Sequence, residues 1–521
     1  MDTDVLIVGA GPTGLMLANQ LARRGVRAEI IDRHAGPARE TRALGVQART
    51  LEIYAHLGIV DRALELGKDG SGANIWAQGR WMARVPLDEA GRELTPYPYI
   101  LVLGQDDNER IMGDRLRELG MSVRWNTELV GLEQRLDRVD STLKQPDGTT
   151  RTFAAAYVAG CDGAHSVVRE ACGITFPGAP YEHVFFVADT VATGSMVPDQ
   201  VNVYLWRDGF HLFFPMRGPD HWRLVGILPR ELRGRRDVDF EAVVPSLTKE
   251  AGDGLVFRDC LWFSTYRIHH RSAARFRDRR CFVLGDAAHI HSPVGAQGMN
   301  TGLQDAYNLA WKLALVVQGR ADAALLDSYE AERVPVARRL LETTDAGFRL
   351  VVSDNPLAGI FRTQILARMV AFAMRQPWVQ RAAFRVVSQT GIHYHSSPLS
   401  QSLDALPSAA PHAGDRFPWL KLRLDGGGEA TDLYAALDDT RFHLLLVGQP
   451  APSLAALGLE DLLEVHTVAE DRGNDVELAR AHLPRQSFYL LRPDGHVGLC
   501  GARPEPTVLA RYVSERLRMT R

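Results

Sequence analysis

Cysteine is scarce in this 521-residue chain: Cys161, Cys172, Cys260, Cys281 and Cys500 are all there are, and no two form a CxxC pair. That excludes a disulfide framework and a dithiol redox site, and leaves reduced, mostly packed thiols of a cytosolic protein. His269, His270, His289 and His291 are close in sequence but have no cysteine pair nearby, so no metal site is expected. Positive charge is not in excess either. Lys plus Arg number 60 against 63 Asp plus Glu, a net charge of −3, so there is no basic field to attract nucleic acid. No run approaches the ~18 uninterrupted apolar residues of a membrane span. The best run in the middle of the chain, Asn308 to Val317, is broken by Lys312. Asp2 and Asp4 stand where a secretory leader carries lysines, and a strand already starts at Val5, so no leader is expected. Repeats and low-complexity tracts are also missing. What remains is ordinary globular composition, 45 % hydrophobic and 24 % charged, in a chain long enough for several domains.

The N-terminus reads strand, glycine turn, helix, strand. Val5–Val8 is a short apolar run that meets Gly9-Ala10-Gly11-Pro12-Thr13-Gly14, a GxGxxG. Leu15, Leu17, Ala18, Leu21 and Ala22 then repeat with helical spacing up to Gly25, and Arg27–Ile31 is a second strand ending at Asp32. In such a turn Gly9 allows the tight bend, Gly11 lets backbone approach a pyrophosphate, and Gly14 lets helix and strand pack closely. The helix N-terminus, with Pro12 and Thr13 in its first turn, faces the pyrophosphate with free N–H groups. Asp32, followed by Arg33, accepts hydrogen bonds from ribose hydroxyls. The pattern predicts dinucleotide binding; alone it does not separate FAD from NAD(P).

Two later motifs bear on the cofactor. At Cys281–Leu284 a strand ends in Gly285-Asp286-Ala287-Ala288-His289, then comes Pro293-Val294-Gly295-Ala296-Gln297-Gly298-Met299-Asn300, then a long helical pattern through Leu303, Ala306, Leu309, Ala310, Leu313 and Val317. An ordinary NAD dehydrogenase needs no second strand–turn–helix of this kind. Between the two lies Cys161-Asp162-Gly163-Ala164-His165-Ser166-Val167-Val168-Arg169. Together, and in this order, the three motifs resemble the FAD-dependent aromatic hydroxylases, the class A flavoprotein monooxygenases that include p-hydroxybenzoate and phenol hydroxylases. The resemblance covers about residues 1–390. Ala296 departs from it, since many relatives have a second glycine there.

The resemblance implies roles residue by residue. Asp32 would hold the adenosine ribose, Arg42 would sit over the diphosphate or gate flavin movement, and Gln105, just before a helix starting near Asn108, would touch the ribityl chain. Asp162 and Gly163 belong to a fingerprint linked to FAD and NAD(P)H. Asp286 would bind ribityl hydroxyls or the pyrophosphate side, while Pro293, Gly295 and Gln297 shape the turn. Gly298, Met299 and Asn300 would offer N–H groups to the flavin O2/N1 edge, where a helix N-terminus stabilises the anion of reduced flavin. FAD is expected to be noncovalent, since His289 and His291 are the only side chains in these segments that stand out as tethers. NADPH or NADH would be the transient reductant.

Residues 181–275 read as antiparallel sheet. Val201–Trp206, the turn Asp208-Gly209 and Phe210–Met216 make a hairpin, and Trp222–Leu228 a third strand. One phase carries Val203, Leu205, Leu212, Phe214 and Met216, an apolar wall with no arginine on it to clamp a carboxylate, although Arg223 is adjacent with its face left open; a slip of one residue would replace it with Asn202, Tyr204, Trp206, His211 and Phe213. Tyr204, His211 and Tyr266 are candidates for contacting a substrate phenol. In the family this sheet lines the substrate pocket.

The fold expected is α/β: a Rossmann-like FAD-binding domain over residues 1–180 and 276–345, an inserted antiparallel-sheet substrate domain over 181–275, a helical segment over 346–402 broken at Asn355-Pro356, and a C-terminal domain over 412–521. The tail's strands, Phe442–Val447, Leu463–Thr467, Phe488–Leu491 and Val497–Cys500, resemble the thioredoxin-like domain of the phenol and polyketide hydroxylase branch, without its CxxC. The function implied is hydroxylation of a phenolic or polycyclic, polyketide-like aromatic small molecule with O2 through a C4a-hydroperoxyflavin, in a cytoplasmic monomer or homodimer with no nucleic-acid or membrane partner. Epoxidation, Baeyer–Villiger oxygenation, or a non-catalytic flavin-binding assembly role on the same scaffold are the alternatives. Halogenation is disfavoured because no Trp-x-Trp-x-Ile-Pro occurs.

Overall fold

Apolar strands alternating with amphipathic helices build a parallel sheet, because parallel neighbours can be joined only by crossovers. In this computed structural model, which describes residues 1–38, 43–206, 209–235, 237–251, 254–291, 297–352, 359, 361–403, 406–426, 428–454 and 458–520, five strands run parallel. Their order is Cys281–Val283, Thr150–Gly160, Thr3–Val8, Ala28–Ile31 and Val123–Arg124. Consecutive residues Val5, Leu6 and Ile7 are all fully buried, as a strand covered on both faces requires. The helix Pro12–Arg23 makes the first crossover, and the helix Gly298–Val317 packs along it. Both contribute to one core with the sheet.

The second sheet has eight strands in the order His289–Ile290, Val256–Ser272, Gly178–Thr193, His221–Ile227, Gly209–Pro215, Val201–Trp206, Gly72–Ala77 and Arg80–Pro86. The expected boundary at residue 181 is corrected here. The hairpin at 72–86 comes from the first part of the chain, and Gly72–Ala77 pairs in parallel with Val201–Trp206. That pairing satisfies backbone groups that an edge strand would leave open. The hairpin and third strand lie within a residue of their expected bounds; Asp208 of the turn is outside the described residues.

Val203 pairs with Leu212, and Leu205 with Phe210, so the unslipped phase is the one adopted. The opposite phase carries Tyr204, Phe213, Trp222 and Leu224, which are buried against Phe240, Val243 and Leu247 of the helix Phe240–Ala251.

The boundary expected at 345 falls inside one helix, Asp327–Val352; the break expected at Asn355-Pro356 is outside the described residues. The tail starts before 412, because Gln401–Ser402 pairs with Val497–Gly501 at the end of the third sheet. That sheet continues with Ser487–Leu491, Phe442–Val447 and Leu463–Val468. Its last two strands are parallel and the others in the run 442–501 antiparallel. Buried charge fastens the tail to the first unit. Arg492 donates twice to Glu332, at 2.6 and 3.0 Å, and Lys312 donates to the same carboxylate at 2.7 Å. Burial works to raise the Glu332 pKa, but Arg492 and Lys312 outweigh it and bring it down to about 2. Among the described residues no helix is long and apolar enough to cross a membrane.

Candidate active site

The first strand runs into Gly9 at a φ of +101°, where a Cβ would lie 2.3 Å from the Cys161 carbonyl oxygen. At Gly14 a Cβ would lie 1.9 Å from the carbonyl oxygen of Gly9. Gly11 differs: its Cβ position meets nothing within 4 Å, so here the backbone faces open space. Pro12 follows in the first turn of the helix, where a missing N–H costs nothing. Asp32 accepts from Ala10 N at 2.7 Å and from His34 N at 2.8 Å, which fixes its carboxylate beside the glycine turn. Arg33 is exposed next to it.

Asp162 comes in at the same turn, with Gly163 at a φ of +77°. One oxygen of Asp162 accepts from Val168 N at 3.2 Å. Its other oxygen is buried with no hydrogen-bond partner among the described residues, and burial pushes the carboxyl pKa up. An unmet buried acceptor costs roughly 1–3 kcal/mol until a donor arrives, so the Asp162 cradle suits a ligand rich in hydroxyl or N–H groups. Arg169, quoted in the motif without a role, donates to Ala287 O at 3.0 Å and Ala164 O at 2.8 Å. It thereby ties the Asp-Gly loop to the turn at Gly285.

That second turn meets the first at Thr13. A Cβ on Gly285 would lie 2.6 Å from the Thr13 hydroxyl, and one on Gly302 2.4 Å from it. Asp286 sits exposed on the turn. Behind it Asp305 accepts from Gly285 N at 3.1 Å, bonds His289 Nε2 at 2.7 Å and takes Arg333 at 2.6 Å. Burial works to raise the Asp305 pKa, yet Arg333 and His289 hold it below the usual range. Asp305 and Arg333 were not foreseen. The available signal was an acidic residue inside an apolar helical run, which needs a buried partner. His289 is buried and committed to Asp305, which removes it as a tether; the His291 ring lies against Gly298.

The helix opening at Gly298 presents its first-turn backbone to this corner. Gln297, just before it, is buried, and its carbonyl accepts from Thr301 N at 2.9 Å. The Asn300 side chain is used by the fold: its Oδ1 accepts from Gln47 N at 2.9 Å and Thr50 Oγ1 at 2.7 Å. The Met299 sulfur accepts from Asn108 Nδ2 at 3.4 Å. Gln105 begins its helix and does not precede it, since Gly104 is the cap. Its amide accepts from Ala43 N at 3.3 Å and donates to Glu109 at 2.8 Å. Arg42, Pro293 and Gly295 lie outside the described residues.

The eight-stranded sheet is joined to this corner through His289–Ile290, where Arg271 pairs with Ile290. Val203, Leu212 and Tyr266 are half-buried on one face with Leu205, beside Phe185, whose ring centroid is 6.0 Å from that of Tyr266. Phe214 is half-buried in the same phase, and Met216 lies just past the strand end. Burial pushes Tyr266 up to about 12. Tyr204 and His211 are on the other face, which corrects their candidacy for that wall. Tyr204 stacks on Trp76 at 5.4 Å, and His211 is buried between Trp206 and Phe186 with both ring nitrogens unpaired among the described residues and its pKa pushed down to about 3 by that burial. A second correction concerns arginine. Arg223 pairs with Phe214 across the strands and so shares the apolar face, but it is buried and bidentate to Asp189, with one contact at 2.5 Å.

A cavity of about 370 Å³ lies instead at the tail junction, lined by Arg23, Glu52, His56, Tyr97 and Tyr434 among others. None of its lining comes from the glycine turns.

Comparison with known proteins agrees with this geometry. The family model described as the FAD binding domain matches residues 2–344. The 6-methylpretetramide 4-monooxygenase of Streptomyces rimosus is 34 % identical, over 97 % of this chain and 92 % of its own length. The pentachlorophenol 4-monooxygenase of Sphingobium chlorophenolicum is 33 % identical, over 80 % of this chain and 76 % of its own. Among solved structures, the ternary complex of aklavinone-11 hydroxylase with FAD and aklavinone superposes with a TM-score of 0.81 at 26 % identity, covering 99 % of both chains. The anhydrotetracycline hydroxylase of Streptomyces rimosus gives 0.74 at 31 %, covering 96 % of both. A glycine turn open at Gly11, an unmet Asp162 acceptor and a second turn locked to the first at Thr13 are thus found in a chain that belongs to the FAD binding domain family and is an FAD-dependent monooxygenase of the aromatic hydroxylase kind.

Proposed function

We propose that the enzyme uses NAD(P)H and O2 to hydroxylate a phenolic, multi-ring aromatic molecule seated against Val203, Leu205, Leu212, Phe214 and Tyr266, with Met216 at the rim. One observation carries this reading: the face is apolar and half-buried, and its arginine, Arg223, is already held by Asp189. A small carboxylate substrate would find no free cation among the described residues of that face, at a cost of several kcal/mol. A larger ring system gains ~25 cal/mol for each Å² it buries. The relatives named for 6-methylpretetramide and aklavinone support the class.

Bound FAD supplies the activation of O2. The chain's own residues hold it and keep water out. Gly9, Gly11, Pro12, Thr13 and Gly14 receive the pyrophosphate, Asp32 and Arg33 the adenosine ribose, and Asp162, Gly163 and Asp286 the linking hydroxyls. Gln105 guards the ribityl side, and Arg42, next in sequence to the Ala43 whose N–H bonds Gln105, sits over the diphosphate or gates the flavin; Pro293, Gly295 and Gln297 lead into the N–H groups of Gly298, Met299 and Asn300 at the flavin edge. The binding is noncovalent, and the enzyme works in the cytoplasm as a monomer or homodimer.

The test is turnover of naphthol- and anthraquinone-like phenols beside simple hydroxybenzoates, read as substrate-stimulated NAD(P)H oxidation. Multi-ring phenols should give the faster coupled oxidation. Leu212→Arg should reduce it for them and improve relative turnover of benzoates. Faster coupled turnover of benzoates by the unaltered enzyme would defeat the substrate class.

A further inference from the structure

Three side chains of the tail converge on one point and take no part in flavin chemistry. His443 lies on the strand Phe442–Val447, and Glu464 and His466 on Leu463–Val468. The parallel register sets His443 opposite Glu464 and Leu445 opposite His466, so all three side chains project from one face. Their donor atoms lie within 4.8 Å of one another. The separations are 3.1 Å for His443 Nδ1 to His466 Nε2, 3.6 Å for His443 Nδ1 to Glu464 Oε2, and 3.8 Å for His466 Nε2 to Glu464 Oε2. A tetrahedral ion with ligands at 2.0–2.2 Å spaces them roughly 3.3 Å apart.

The outer contacts orient the rings. His443 Nε2 lies 2.8 Å from the carbonyl oxygen of Asp438, so this nitrogen carries the proton and Nδ1 presents its lone pair inward. His466 Nδ1 lies 3.5 Å from an Asp425 carboxylate oxygen, an ionic approach longer than an ordinary hydrogen bond. With a proton on His466 Nε2 the two rings share a hydrogen bond at 3.1 Å; with it on Nδ1, beside Asp425, both inward nitrogens present lone pairs that a cation can bridge. A partner on the far nitrogen of each histidine is the usual support of a metal-binding imidazole. Glu464 is steadied through its other oxygen by Arg441 at 2.8 Å.

The geometry points to a divalent metal site in the tail, a zinc-type ion held by His443, Glu464 and His466 with a solvent molecule in the fourth position. Two imidazoles and a carboxylate suit zinc better than calcium or magnesium, which prefer oxygen shells, or Cu(I), which prefers thiolates. The fourth position opens on the Glu464 side, where the side chain is 34 % exposed against 3 % for His443. The ion would clip the edge strand Leu463–Val468 to its neighbour. It would also steady Asp438 and Asp439, which meet Arg23 of the FAD-binding unit.

The experiment uses the full-length, FAD-loaded protein, stripped with a chelator and titrated calorimetrically with zinc chloride. One zinc ion per chain is expected at micromolar zinc or below, together with a higher melting temperature. His466→Ala should weaken binding at least tenfold, and Glu464→Gln, which keeps the side-chain shape, several-fold. His395→Ala, altering an exposed histidine paired with Asp415, should bind as the unaltered protein does. No zinc uptake by the unaltered protein would overturn the site and leave a proton shared between the rings as the reason for their geometry. Equal affinity in both His466→Ala and Glu464→Gln would overturn it as well.

Discussion

The two strand–turn–helix units that meet at Thr13 are built by opposite means. The first, around Gly9, Gly11 and Gly14, is shaped by missing side chains: backbone closes on backbone, and open space is left beside Gly11. The second, around Gly285 and Asp286, is held from behind by charge, with Asp305 joining Gly285 N, His289 and Arg333 in a buried cluster. Where backbone closes on backbone, at Gly9 and Gly14, such a turn is intolerant of an added atom. A turn held by charge tolerates changes of shape better than the loss of a partner. Substitutions in the two units can therefore be told apart by what they damage.

The largest effect is expected in the second unit. Asp305→Ala would leave Arg333 buried without its carboxylate, at about 3–5 kcal/mol. Urea unfolding should show a correspondingly lower midpoint; an unchanged midpoint would mean that charge does not hold this turn. Next comes Gly14→Ala, whose Cβ would fall 1.9 Å from a carbonyl oxygen. Flavin content per protein should drop to near zero. Gly11→Ala sharpens the contrast. Its Cβ meets nothing within 4 Å among the described residues, so stability of the FAD-free form should stay within about 0.5 kcal/mol while FAD affinity falls, and equal loss of both would blur the distinction.

Asp286→Ala should weaken FAD binding roughly ten- to a hundredfold, one charged hydrogen bond being worth ~1.5–3 kcal/mol; full occupancy at limiting FAD would count against its role. The smallest effect is on acid stability. Asp305 titrates below the ordinary value of 3.8 in the folded protein because Arg333 and His289 overcome the effect of burial. Its contribution is therefore complete above that value and is lost as pH falls below it. Asp305→Asn should flatten this part of the stability profile, which Gly11→Ala should leave as it was.

The same contrast explains what could be read in advance. Glycines that permit a turn leave their mark within a few residues, so the Gly9–Gly14 unit and the strand at Val5 were legible. So was the alternation Val203, Leu205, Leu212 and Phe214, because a strand's two faces repeat every second residue. Partners far apart in sequence left no such mark. Asp305 gave only the hint of an acid in an apolar helix, and Arg333 gave none. The Gly72–Ala77 strand was missed as a member of the middle sheet because pairing across 128 positions, as Asn74 with Asn202, is not written in local pattern. Arg223 was ambiguous for the same reason: its face followed from the register with Phe214, and its unavailability from Asp189 on another strand. Tyr204 and His211 were chosen by chemical type, and packing under the helix Phe240–Ala251 and among aromatic rings put them on the other face.

On the proposed function, the apolar face of the middle sheet receives a multi-ring phenol for oxygen insertion by FAD bound at the two turns. This is tested most directly by running the purified yellow enzyme with NAD(P)H under isotopically heavy O2, with a polycyclic phenol and a hydroxybenzoate in the same vessel. One heavy oxygen atom is expected in the polycyclic product and little or none in the benzoate. Label entering the benzoate preferentially, or NAD(P)H consumed without label in either product, would contradict it.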